Sequence, residues 1–160
     1  MTKIERFENL LLSLWVGAMA GIGYIAAPVL FKILDDRKMA GALAGEMFSL
    51  IGILGLIVGL LLLLSYVFKL KLMAMREWRF WILLLMFSLV ITSQFVIQPY
   101  MAELKLQGLI EGSQEAKRFG MMHGVSSTLY LTTNLFGMLL IILGLHPRGK
   151  RLRAKDISQF

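Results

Sequence analysis

The 160-residue chain contains no cysteine. That excludes disulfide staples, thiolate metal sites, CxxC redox chemistry and any cysteine nucleophile. Charge is also scarce: Asp, Glu, Lys and Arg make up 17% and hydrophobic residues 58%, whereas an ordinary globular chain is about 25% charged and about 45–50% apolar. This composition does not fit a water-soluble domain. The net charge is +7, yet no basic face or aromatic RNA-binding motif accompanies it, so no nucleic-acid partner is expected. The sequence shows no repeat, low-complexity tract or second domain. The alternating short segments of a membrane barrel are missing too. Ser126 and Ser127 lie one turn from His123, but no nucleophile elbow or orienting carboxylate goes with them. His123 and His146 fall roughly 34 Å apart along one helix, too far to clasp a single haem.

What the chain does have is four uncharged stretches, residues 9–31, 47–68, 80–102 and 119–145. A hydrocarbon core of ~30 Å takes roughly 20 helical residues at ~1.5 Å each. Lipid offers no partners for backbone amides, so the stretches must be helices. The expected fold is all-α, an integral-membrane four-helix bundle over residues 1–146 with a basic tail, 147–160. The first stretch is expected to be retained rather than cleaved as a secretory signal. Its apolar run exceeds a ~7–15-residue signal core, Glu5 and Glu8 offset Lys3 and Arg6, and Pro28 follows Ala26-Ala27.

Basic residues set the expected orientation. Lys3, Arg6, Lys69, Lys71, Arg76 and Arg79 share one side with the tail cations Arg148, Lys150, Arg151, Arg153 and Lys155. The other side has only Lys32, Arg37, Lys38, Lys105, Lys117 and Arg118. Short positive loops stay in the cytoplasm, so both termini are expected inside the bacterial inner membrane. Trp78 and Trp81, beside Arg76 and Arg79, suit an interfacial anchor.

Helices in lipid associate by close packing and buried polar bonds. Gly17 and Gly21 in the first span, and Gly55 and Gly59 in the second, form small-xxx-small stripes expected to face each other. A homodimer through the same stripe is the competing use. Pro28 cannot donate to the Tyr24 carbonyl, which predicts a kink or an end near the outer mouth.

Polar side chains sunk in the apolar stretches are the most informative feature, since they cost free energy without partners. His123, Ser127, Tyr130 and Asn134 follow i, i+4, i+7, i+11 on one face of the fourth span, and Gln94 and Gln98 follow i, i+4 on the third. If they face one another, they line a polar cleft open to the periplasm. The alternative is interhelical bonding, each bond worth ~0.6 kcal/mol, a role assigned to Ser127, Thr92 and Ser93. Arg37 and Glu46 bracket the first outer loop. Glu46 is expected at a helix N-terminus or paired with Arg37 or His123. Met121-Met122-His123 sets two thioethers beside an imidazole, a combination that selects Cu(I); methionine as apolar filler is the competing reading.

Several motifs carry a resemblance. Leu14-Trp15-Val16-Gly17, Ala27-Pro28-Val29-Leu30-Phe31, Ala40-Gly41 and Ala44-Gly45-Glu46-Met47-Phe48 are followed by Gln98-Pro99, Phe119, Met122-His123-Gly124-Val125-Ser126 and Asn134-Leu135. Together they resemble an uncharacterised bacterial four-span membrane family, to which the eukaryotic transmembrane-protein-205-like proteins look related. More distantly the chain is similar to copper-resistance membrane proteins and anthrone-oxygenase-like four-span proteins. The resemblance runs over about residues 7–145. It implies a four-helix membrane protein, points to Pro28, Glu46, Gln98 and His123, and brings no reaction.

The function expected is binding of a small ligand or metal in the outer cleft, with metal or toxic-compound tolerance as its setting. The alternatives are an accessory subunit paired with a membrane partner, and a membrane oxidoreductase acting on a lipophilic aromatic substrate. The orientation is directly testable because the chain has no cysteine of its own. Gln107→Cys should react with an impermeant maleimide on intact spheroplasts, and Met73→Cys only after permeabilisation. The reverse pattern inverts the topology.

Overall fold

The computed structural model describes residues 2–110 and 112–145, and its regular elements there are all helical. Four helices are long and apolar enough to cross a membrane: α1 (Lys3–Ile33), α2 (Arg37–Leu70), α3 (Trp78–Leu106) and α4 (Gln114–Leu143). The molecule is thus an all-α integral-membrane bundle. His146 and the basic tail lie outside the described residues.

Local chemistry explains where the helices begin. Thr2 caps α1 through a reciprocal box with Glu5, Asp36 Oδ1 accepts from Lys38 N at 2.8 Å to start α2, and Ser113 Oγ accepts from Ala116 N at 3.1 Å to start α4. Each satisfies a backbone donor that the first turn leaves open. An uncharged stretch marks only the lipid-soluble part of a helix, so α2 starts well before Met47. Glu46 is consequently an exposed mid-helix residue, not the N-terminal cap expected of it. Gly108 at φ 87° and Gly112 at φ 83° make the turn between α3 and α4, a conformation that suits a residue without Cβ.

The helices form an up-and-down ring in which α1 and α3 each pack on both α2 and α4. The core lies toward the end that carries the N-terminus, where Leu12, Trp15, Leu62, Leu83, Met86 and Leu140 are almost wholly buried. At that same end Glu8, only 3% exposed, accepts from Lys69 Nζ at 2.5 Å and from Ser65 Oγ, tying α1 to α2. Arg79 Nε donates to Gly144 O at 2.9 Å and joins the start of α3 to the end of α4.

The small-residue stripes do not pair as expected. A Cβ added at Gly17 or Gly21 would meet nothing within 4 Å. The α2 glycines instead take large side chains, Trp15 on Gly55 and Phe87 on Gly59, while Val16 sits on Gly137 of α4. In lipid, where apolar surface drives no association, such interlocks supply the contact between helices.

Two breaks shape the other half. A π-turn at Ile22–Ala26 precedes Pro28 and another at Ser93–Ile97 precedes Pro99. In each, the residue before proline reaches five back: Ala27 N–H donates to Ile22 O, and Gln98 N–H to Ser93 O. Proline has no N–H and its ring crowds the carbonyl four residues earlier. One extra residue in the turn relieves that clash without ending the helix. So α1 neither stops at Pro28 nor kinks without compensation. The breaks match across the ring: Tyr130 of α4 lies over Gly23 in the first π-turn, and Gln94 in the second lies over Gly52 of α2. Each hairpin thus carries one proline-linked π-turn on its first helix.

Gly137→Val should lower stability by about 1–3 kcal/mol, because its side chain would collide with Val16, whereas Gly17→Ala should be neutral or stabilising. Lys69→Met should cost about 2–4 kcal/mol by removing the cation that neutralises the buried Glu8 carboxylate, and the double variant Glu8→Met/Lys69→Met should recover most of it. Unfolding by SDS in mixed micelles measures all four.

Candidate functional site

Beyond the π-turns the ring opens into two hairpins. The last segment of α1, Ala27–Ile33, packs chiefly on α2, and the last segment of α3, Gln98–Leu106, chiefly on α4. Between the hairpins lies a cleft of about 940 Å³ to which all four helices contribute. It sits at the end carrying residues 34–36 and the turn glycines Gly108 and Gly112, the end where the sequence places it. That volume is at the upper end of the ~300–1,000 Å³ typical of small-molecule sites. Trp15, Met19, Phe48, Ile51 and Val90 make its floor and walls apolar, and polar groups gather nearer the loops.

Gln94, Gln98, His123, Ser127, Tyr130 and Arg37 all line this cleft, but not as two facing stripes. The lower polar residues turn sideways. Gln94 Nε2 donates to Ser49 O of α2 at 3.0 Å, and Tyr130 OH donates to Met19 O of α1 at 2.5 Å. Asn134 is completely buried below the cleft: its Nδ2 donates to Val16 O at 3.0 Å and its Oδ1 accepts from Tyr24 OH at 3.2 Å. These three fasten neighbouring helices. Gln98 and His123 differ, facing the cleft with no side-chain hydrogen bond to another described residue. The His123 ring stacks on Phe119 with centroids 6.3 Å apart.

Other expected roles change. Ser127 Oγ donates to His123 O and Thr92 Oγ1 to Ser88 O, both within their own helices, so neither joins two helices. Glu46 does not line the cleft and makes no ion pair with Arg37 or His123 among the described residues. Met121 is 62% exposed, and neither it nor Met122 lines the cleft beside His123. No cluster of three or more His, Asp or Glu suited to a metal occurs among the described residues.

Several lining residues escape the sequence reading, Lys105 and Trp15 among them. Lys105 Nζ lies 5.6 Å from the Phe119 ring centroid, over its face, and follows Gln98 and Met101 at i, i+3, i+7, so helical periodicity alone would have found it. Trp15 forms part of the floor. Its only sequence signal is an aromatic among small residues, which reads equally as core.

Residues 10–109 match the model of a family described as a domain of unknown function, DUF4149. The match runs from α1 to the turn after α3; α4, which supplies Phe119, His123 and Tyr130, follows it. No curated protein and no solved structure matches the chain.

If Gln94 is a fastener while Gln98 and His123 face a ligand, their stabilities should separate. Gln94→Leu should lose about 0.6–1.7 kcal/mol, from the average to the maximum measured for hydrogen bonds between membrane helices. Gln98→Leu and His123→Leu should lose none, or gain. SDS unfolding of the three variants checks this.

Proposed function

This chain belongs to the DUF4149 family, and we propose that it is a multi-pass protein of the bacterial cytoplasmic membrane that binds a small organic ligand. The binding place is the cleft between the two hairpins, and with both termini in the cytoplasm the cleft opens on the periplasmic side. One observation carries the reading: Gln98 and His123 face a cleft of about 940 Å³ with their side-chain donors and acceptors unspent. Polar groups in an apolar setting cost free energy unless they are bonded. In this bundle Gln94, Tyr130 and Asn134 all find carbonyls on a neighbouring helix. Two that do not, on neighbouring helices of the α3–α4 hairpin, suit a partner from outside the chain.

An organic ligand fits better than Cu(I), because His123 stands in the wall without Met121 or Met122 beside it. The DUF4149 match names no ligand, and no comparison links the chain to the transmembrane-protein-205-like proteins that the sequence motifs suggested.

Native mass spectrometry tests the reading. Protein released from gentle detergent should carry a stoichiometric small-molecule adduct. Gly45→Trp, which fills the cleft from α2, should lose the adduct and keep its unfolding midpoint. Protein stripped of detergent with no adduct, co-purifying instead with one membrane protein in fixed ratio, would favour the accessory-subunit reading.

A further inference from the structure

We propose that the cleft takes an anionic amphiphile: one carboxylate or phosphate head held at the loops and one flexible hydrocarbon tail inside the bundle. This rests on the ligand-binding reading and specifies its ligand class. Three cations line the cleft, Arg37 and Lys38 at the start of α2 and Lys105 near the end of α3, and no described carboxylate lines it. Asp35, Asp36, Glu46, Glu103 and Glu115 all belong to this end of the molecule, yet none enters the wall. Nor does any of the three cations form an ion pair among the described residues, where the salt bridges are Lys69 with Glu8 and Arg79 with Glu77. Lys105 leans across the opening: a Cβ added at Gly45 on α2 would lie 3.7 Å from its Nζ. Glycine at that position leaves the ammonium room to approach α2 from α3.

Beneath this positive rim stand Gln98 and His123, and below them the walls are mostly apolar down to Trp15, with Gln94 and Tyr130 bonded to neighbouring helices. Arg37 and Gly52 both line the cleft on α2, which gives it a depth of roughly 22 Å at ~1.5 Å per residue. That exceeds the ~15 Å of one leaflet's hydrocarbon, so an extended tail fits along it. Ordinary surface attraction of acidic lipid to lysine and arginine, worth ~1 kcal/mol each, would leave the tail outside the bundle. Here the tail reaches a tryptophan that is 1% exposed and closed to surrounding lipid. Three cations with no ion pair among the described residues, above a mostly apolar channel, match a molecule with charge at one end only. A neutral aromatic ligand would leave them unused.

Trp15 is a built-in reporter. In full-length Trp78→Phe/Trp81→Phe protein it is the sole tryptophan, and both replaced residues are exposed. In detergent micelles, 9,10-dibromostearate should quench its fluorescence saturably. Its methyl ester should bind at least threefold more weakly. Arg37→Gln/Lys38→Gln/Lys105→Gln should weaken the acid at least threefold and leave the ester unchanged; all three side chains are exposed, so the fold should tolerate the change. A dibrominated alkyl phosphate that outbinds the acid would place the ligand among phosphate esters, and the reverse order among carboxylates. Acid and ester within threefold of each other, or a triple variant that binds the acid within threefold of its parent, overturns the anionic class and leaves a cleft for neutral ligands. Absence of saturable quenching by every probe overturns both the class and the cleft.

Discussion

Two backbone amides are missing from this bundle, at Pro28 and Pro99, and hydrocarbon supplies no donor to replace them. The chain absorbs each loss by widening one turn, with Ala27 and Gln98 reaching back five residues. A widened turn rotates and re-aims all that follows it. Because the breaks occur on α1 and α3, which never neighbour each other in the ring, each carries its helix end onto a different partner. The opening between the hairpins follows from that geometry.

The rest of the molecule resists the opening. Below the π-turns, glycines receive side chains from the neighbouring helix at three junctions: Gly55 takes Trp15, Gly59 takes Phe87 and Gly137 takes Val16. Gln94, Tyr130 and Asn134 add carbonyl bonds at the cleft's lower edge, and the buried Glu8 closes the far end with Lys69. Packing density and polar satisfaction are therefore concentrated in one half. The other half is held apart, with an apolar interior and a cationic rim. A rigid half supporting an open half is how a small bundle keeps a cavity that lipid-facing packing would otherwise collapse.

Polar side chains in lipid are ambiguous because helix fastening and ligand binding use the same residue types. His123, Ser127, Tyr130 and Asn134 share one helical face by spacing, and all four sit where that spacing puts them. Their partners divide them. Asn134 and Tyr130 reach α1 carbonyls, Ser127 bonds its own helix, and His123 faces the cleft. The same split separates Gln94 from Gln98 on α3. Periodicity identifies a face, whereas the neighbouring helix decides the role.

The sequence alone determined the number of spans, their helical character and the end at which polar residues collect. Those follow from hydrophobic length and from the need of every backbone amide for a partner inside its own segment, and neither condition refers to another helix. Only the tertiary structure decided that the Gly17–Gly21 stripe faces outward, that α2 starts at Arg37 rather than near Glu46, and that Lys105 leans over Phe119 beside Gly45. Each of these depends on which helix stands opposite or where a cap is found. In hydrocarbon, where leucine packs as readily on lipid as on protein, apolar composition says nothing of what stands opposite.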